Sequence, residues 1–330
     1  MQARSWIRQK SPPPHSYTGL QRTANPRGGN TMQDVQFNNR NIVMAGHLYL
    51  PSAFDESQQY PAIVTVHPGG GVKEQTAGTY ARLLAEQGFV TLAFDASYQG
   101  ASGGEPHFLD EPMNRVADVY SAVDYLTTLG FVDAQRIGVL GICAGGGFAA
   151  KAASVDRRIK ALATASAVNV GTATRQGWEG KGSINDLLPV LDALAGQRTA
   201  EAAGAAPVYA PYVPQLGDTS APRDLQEAAD YYLTPRAQHP NAQNKMLMNG
   251  LGAWVAFDAF DLVEQLLTQP TLVIAGSEAG SLWHSQELHA KAQGKKELVV
   301  LDGLAHMDLY DGPGVSTAME HLVPFFQANL

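Results

Sequence analysis

An apolar run at Ile137–Leu140 leads directly into Gly141-Ile142-Cys143-Ala144-Gly145, and Gly146, Gly147 and Phe148 follow at once. Where a strand must turn into a helix within a single residue, that residue's backbone is strained. Side chains two positions before and two after it would collide. Glycine at both of those positions predicts a sharp strand–turn–helix corner that lifts Cys143 above the end of a sheet. The dipole of the following helix would favour its thiolate. Two other readings stand beside this one: a buried structural thiol, and a phosphate-cradling glycine loop. The spacing matches neither G-x-G-x-x-G nor a P-loop with its lysine.

A corner of this kind needs a sheet, and the chain supplies one. Ile42–Leu50, Ala62–Val66, Val90–Phe94, Ile137–Leu140, Ala161–Thr164, Leu272–Ala275 and Leu298–Leu301 read as strands. Most are short and apolar on both faces, which suits a parallel sheet covered on each side. Between them run helical periods. Val116, Val119, Tyr120, Val123, Leu126 and Leu129 mark one face, Tyr80, Leu83 and Leu84 another, and Ser316–Ala328 reads as a closing helix. The alternation predicts an α/β class with a mostly parallel, doubly wound sheet. Residues 167–265 break the rhythm with Ala-rich, Pro-punctuated sequence and helical pieces such as Asp224–Leu233. We read them as a helical lid inserted between two sheet strands, with no strand of their own. Residues 1–34 read as a tail: Pro12-Pro13-Pro14 and isolated apolar residues bury too little surface to offset ordering entropy. The domain is therefore expected over 35–330.

Around the corner, three further segments carry chemistry. His67-Pro68-Gly69-Gly70-Gly71 follows the Ala62–Val66 strand, and glycine there lets backbone N–H groups approach a developing oxyanion. Gly70 or Gly71 is the expected donor, with the N–H of Ala144 as the second, because Pro68 has none. His306 sits in a loop between the last strand and the last helix, where an imidazole could shuttle the proton. Glu278, after the Leu272–Ala275 strand, is the expected orienting acid, with Asp308 and Asp311 as rivals close to His306. Glu74 either polarises the thiol or pairs with Lys73. In Phe94–Gly104, Asp95 and Ser102 are expected to fix the loop, and Tyr98 to line the pocket. Trp178, Trp254 and Phe257 are the expected roof of that pocket.

Composition removes several classes. The chain has 330 residues, net charge −8 and a single cysteine, so no intrachain disulfide forms. Residues 1–31 hold five basic groups and no acid, leaving 18 basic against 31 acidic groups in the rest. Such a body repels nucleic acid and anionic membranes. No apolar stretch reaches the roughly 18 residues of a membrane span, and the N-terminus has no signal-peptide apolar core. A cytoplasmic location is expected. No His-x-x-x-His or Cys-x-x-Cys marks a metal site. A homo-oligomer is left open.

Gly-Ile-Cys-Ala-Gly-Gly-Gly, His-Pro-Gly-Gly-Gly-Val-Lys-Glu-Gln and His-Met-Asp-Leu-Tyr-Asp together resemble the cysteine-nucleophile branch of the α/β-hydrolases. That branch comprises the dienelactone hydrolase-like proteins, with bacterial hydrolases and fungal polyketide transferases among their relatives. The resemblance spans roughly residues 35–165 and 268–330. It implies a Cys–acid–His triad acting on small-molecule esters, thioesters or lactones without metal or organic cofactor, and carries Cys143 and His306 into the first and last roles. Two departures stand out. The acid in such proteins is usually Asp, slightly later in the loop, where this chain has Ala279. The 167–265 segment has no counterpart in the smallest members. Acyl transfer instead of hydrolysis, or a silent binding or redox-sensing protein on the same scaffold, are the alternatives.

Overall fold

The computed structural model describes residues 31–330, so the tail reading for residues 1–30 lies outside the described residues. Eight strands form one sheet in the order β1-β2-β4-β3-β5-β6-β9-β10. These are β1 (Thr31–Asn39), β2 (Ile42–Leu50), β3 (Tyr60–Val66), β4 (Val90–Phe94), β5 (Val132–Ile142), β6 (Ile159–Ala165), β9 (Thr271–Gly276) and β10 (Lys296–Leu301). β2 lies antiparallel to both β1 and β4, while every other neighbouring pair is parallel. The doubly wound α/β expectation is met.

Each central strand feeds two cores because successive side chains point to opposite faces. In β5, Ile137 and Val139 pack on one side with Val116, Val119 and Val123 of α2 (Pro112–Thr127) and Phe148 of α3 (Ala144–Val155). Leu140 and Ile142 pack on the other with Tyr80 and Leu84 of α1 (Thr76–Glu86) and Leu322 and Phe326 of α10 (Pro313–Asn329).

Residues 31–34 are not tail but the start of β1. Inward positions of β1 are Gln33, Val35, Phe37 and Asn39, all buried. Half of them are polar, which hid the alternation. Asn39 is satisfied by donating to Asp118 Oδ1 at 2.6 Å.

Between β6 and β9 the chain is mainly helical: α4 (Val170–Gln176), α5 (Leu188–Ala202), α6 (Arg223–Leu233), α7 (Leu251–Ala256) and α8 (Val263–Leu266). It also contains a two-residue antiparallel ladder, β7 (Tyr209–Ala210) with β8 (Met246–Leu247), which the sequence pattern does not announce. α9 (Leu282–Lys291) then covers β9 and β10. Among the described residues no helix is long and apolar enough to cross a membrane.

Candidate active site

The corner at residue 143 has the strain that its sequence predicts. Cys143 adopts φ 54°, ψ −122°, between β5 and α3. A Cβ on Gly141 would run into the Gly145 carbonyl, and one on Gly145 would run into the Val66 carbonyl of β3. The corner is held by Cys143 N–H donating to Ala165 O (3.0 Å), while Cys143 O accepts from Gly146 N (2.8 Å) and Val168 N (2.9 Å).

The Tyr310 hydroxyl and the backbone N–H groups of Ala144 and Gly69 face the sulfur. Each favours thiolate, yet burial outweighs them and pushes the thiol above its ordinary range. The dipole-driven lowering expected from the sequence is thus overridden by desolvation.

Gly69, not Gly70 or Gly71, places its N–H at the sulfur. Gly71 N–H is spent within the turn, on Pro68 O at 3.2 Å. Gly70 makes the turn itself at φ 70°, where a Cβ would meet the Tyr212 ring at 2.6 Å. His67 braces the loop from beneath. It is buried, and Ala96 N–H donates to its Nε2 (3.1 Å), so Nδ1 carries the hydrogen and donates to Pro68 O (2.7 Å). Arg115 donates to His67 O at 2.9 Å.

His306 lies between β10 and α10 and is buried. Its Nε2 is 3.3 Å from the Tyr310 hydroxyl, so that hydroxyl contacts both the thiol and the imidazole. Its Nδ1 is 2.6 Å from Ser281 Oγ. The edge of Trp178 packs on the ring at a centroid distance of 4.9 Å and 69°. Burial lowers the imidazole pKa to about 3. No carboxylate opposes that shift.

The expected orienting acid is elsewhere. Glu278 has a side chain 55% exposed and pairs with Arg223 at 3.6 Å. Its backbone N–H bonds Leu304 O, which fixes the loop but turns the carboxylate outward. The rivals are also committed: Asp308 accepts from Ala305 N (2.7 Å) and Asp311 from Arg236 (2.6 Å). Glu74 pairs with Lys73 at 2.6 Å, and Lys73 also reaches the buried Asp95 at 2.9 Å. Tyr98 is not on the cavity; at φ 66° it shapes its own loop, bonding Gly103 O and Phe108 N and lying against Gly104.

Cys143 and His306 share a cavity of about 250 Å³ with Gly69, Ala144 and Tyr310. The segment between β6 and β9 supplies much of the wall, including Trp178, Tyr212, Val213, Asp224, Tyr232 and Trp254. Tyr212 and Trp254 are both anchored on Asp110: the Tyr212 hydroxyl donates to its carboxylate (2.7 Å) and Trp254 Nε1 to its carbonyl (2.8 Å). Phe257, expected in the roof, packs instead against Phe148 at 6.1 Å. Asp224 is 3% exposed and accepts from Trp178 Nε1 (2.7 Å) and Gly280 N (2.8 Å). Sequence reasoning missed Tyr310, Ser281, Asp224 and Tyr232. Only Tyr310 carried a local signal, four residues after His306. Among the described residues no cluster of His, Cys, Asp or Glu is arranged to hold a metal ion.

The Dienelactone hydrolase family model matches residues 44–176. The uncharacterized protein YcjY of Escherichia coli (strain K12) is 47% identical over 303 residues, covering 91% of this chain and 99% of that protein. The chain belongs to the dienelactone hydrolase family. The family assignment makes it a hydrolase-type enzyme, and the solved structures agree on the fold. The crystal structure of the hypothetical protein PA2218 from Pseudomonas aeruginosa superposes with TM-score 0.86 at 33% identity, over 94% of this chain and 100% of that one. The α/β hydrolase GrgF from Penicillium sp. superposes with TM-score 0.74 at 23% identity, over 90% and 98%. In sequence the polyketide transferase grgF of Penicillium sp is 25% identical, over 84% of this chain and 91% of that protein. This dienelactone hydrolase family member therefore has the α/β-hydrolase fold, with β6 and β9 joined by about a hundred residues that wall its cavity.

Proposed function

We propose that this protein cleaves small-molecule carboxylic esters, thioesters or lactones through an acyl-Cys143 intermediate. The observation that carries the reading is the convergence on one strained sulfur of two backbone amides and a hydroxyl, in a cavity that also holds an imidazole. In this reading the strained corner presents the thiol, the two amides serve the oxyanion, and the imidazole carries the proton.

In this reading Cys143 Sγ attacks the carbonyl carbon as its proton passes to the Tyr310 oxygen, while the Tyr310 hydroxyl, turned from the sulfur to the imidazole, gives its own hydrogen to His306 Nε2. The tetrahedral oxyanion is held by the N–H groups of Gly69 and Ala144. As it collapses, the bond to the leaving oxygen or sulfur breaks and His306 returns the proton to that atom. Water then attacks the acyl-thioester by the same route in reverse and releases the acid. Ser281 holds Nδ1, so Nε2 is left to act as base when Nδ1 carries the hydrogen. With neutral thiol and neutral imidazole at rest, attack and proton transfer are coupled instead of starting from a preformed ion pair.

Similarity to a polyketide transferase supports a second reading, in which an alcohol, amine or carrier thiol replaces water. The acyl-enzyme is common to both. Intact-mass spectrometry after incubation with a panel of acyl thioesters tests the reading. A mass increase equal to the acyl group, absent in Cys143→Ala, is expected. Undiminished turnover by Cys143→Ala would overturn it.

A further inference from the structure

Asp224 is an unusual wall for an acyl cavity. It is a carboxylate 3% exposed, on α6 in the β6–β9 segment, and it lines the same cavity as Cys143 and His306. Both of its protein hydrogen bonds fall on one oxygen: Oδ2 accepts from Trp178 Nε1 and Gly280 N. Oδ1 has no partner among the described residues. Tyr232, 7% exposed, lines the same cavity, with its hydroxyl set against that of Tyr310. No lysine or arginine is among the residues that line the cavity. A carboxylate oxygen on a cavity wall with no protein donor is free to accept from a bound group.

The position of the carboxylate says which part of a substrate it meets. Trp178, held by Asp224, packs edge-on against the His306 ring at 4.9 Å. Asp224 therefore stands on the imidazole side of the cavity. In acyl transfer that side is occupied by the group that His306 protonates as it leaves, or deprotonates as it attacks.

We propose that Asp224 Oδ1 forms a leaving-group and acceptor subsite for a hydrogen-bond donor, an ammonium or hydroxyl group, and that it rejects carboxylates. This rests on the acyl-Cys143 reading and adds to it the chemical class that the enzyme accepts on the His306 side. The enzyme then discriminates by charge: a cationic or hydroxylated alcohol or thiol portion is drawn in, and an anionic one is repelled by the carboxylate.

Butyryl thioesters of one length differing only in the leaving thiol provide the test: 2-(dimethylamino)ethyl, 2-hydroxyethyl, propyl and carboxymethyl. In the wild-type protein kcat/KM should fall in that order, with the first at least tenfold above the last after correction for the uncatalysed rates. Asp224→Asn is the informative variant. Its amide oxygen can keep the bonds from Trp178 and Gly280, while its NH2 replaces Oδ1 in the cavity. The dimethylaminoethyl to carboxymethyl ratio should collapse by about tenfold, whatever happens to the absolute rates. A residue that only holds Trp178 in place would leave the ratio unmoved, and that result would overturn the inference. So would a wild-type protein that prefers the carboxymethyl thioester. Acyl-Cys143 detected by mass in either case would show that the inference had failed while the underlying reading stood. Absence of any acyl-enzyme from all four thioesters would remove both.

Discussion

Ser281 Oγ lies 2.6 Å from His306 Nδ1, in the place where a catalytic imidazole more often meets a carboxylate. A neutral hydroxyl can orient the ring but cannot stabilise its protonated form as a carboxylate would. That is why burial alone sets the His306 pKa, at about 3. Removing the hydroxyl in Ser281→Ala should lower kcat about tenfold, since one neutral hydrogen bond contributes roughly 1–1.5 kcal/mol. Ser281→Asp should raise the imidazole pKa and shift the acid limb of the kcat profile to higher pH. An acid limb that does not move in Ser281→Asp would show that Nδ1 is not paired to position 281 in solution.

Tyr310 is the second determinant of proton traffic, because its hydroxyl contacts the thiol on one side and His306 Nε2 at 3.3 Å on the other. Tyr310→Phe keeps the ring packing against Tyr231 and Tyr232 and deletes only the relay oxygen. A fall in kcat of roughly 10²-fold is expected, within the range for a positioned proton-transfer group. The denaturation midpoint should change little. Equal loss of stability and activity would make Tyr310 a packing residue.

The thiol itself should titrate late. Burial raises the Cys143 pKa above the ordinary value despite three hydrogen bonds that favour thiolate. Alkylation by iodoacetamide should therefore climb with pH through and beyond about 8.5, where an unperturbed cysteine is half ionised. In Tyr310→Phe, one thiolate donor is lost and the rise should shift further upward. A rate plateau already reached near neutral pH would mean a preformed thiolate–imidazolium pair.

Acid should weaken the fold through its buried imidazoles. Burial lowers His284 and His306 to about 3, and His67 well below its ordinary value with help from Arg115. A histidine whose folded pKa is depressed binds its proton more readily in the unfolded chain, so stability falls as pH drops below about 6.5. Each contributes up to about 1.4 kcal/mol per pH unit in that window. Asp118 acts in the opposite sense: burial raises its pKa to about 6, so it takes up a proton in the folded state first and offsets one of the three as pH falls. Urea midpoints should decline steeply between pH 6.5 and 4.5, and less so in His284→Asn. Equal pH slopes in that variant and the wild type would show that His284 is not held neutral.

Much of this molecule is written in short stretches of chain. The strand ending at residue 142, the glycines at 141 and 145 and the helix after them determine a strained corner wherever the sheet lies, because the collisions that require glycine are local. The alternation of apolar strands and helices likewise dictates the doubly wound sheet, since each strand must bury both faces. β1 escaped detection because its inward positions include Gln33 and Asn39, which find partners or cover only after folding. The site's polar partners could not be read in the same way. Glu278 and Ser281 share one loop, and nothing in that loop says that the acid turns to solvent and the hydroxyl to His306, 25 residues further on. The choice of Gly69 over Gly70 and Gly71 depends on how the turn spends its own amides. The carboxylate that faces the imidazole side of the cavity comes from α6, in a segment whose sequence promised only helices. Covalent geometry and hydrophobic pattern act between neighbours and so survive in the sequence, whereas a hydrogen bond or a buried charge is decided by which distant segment arrives opposite it.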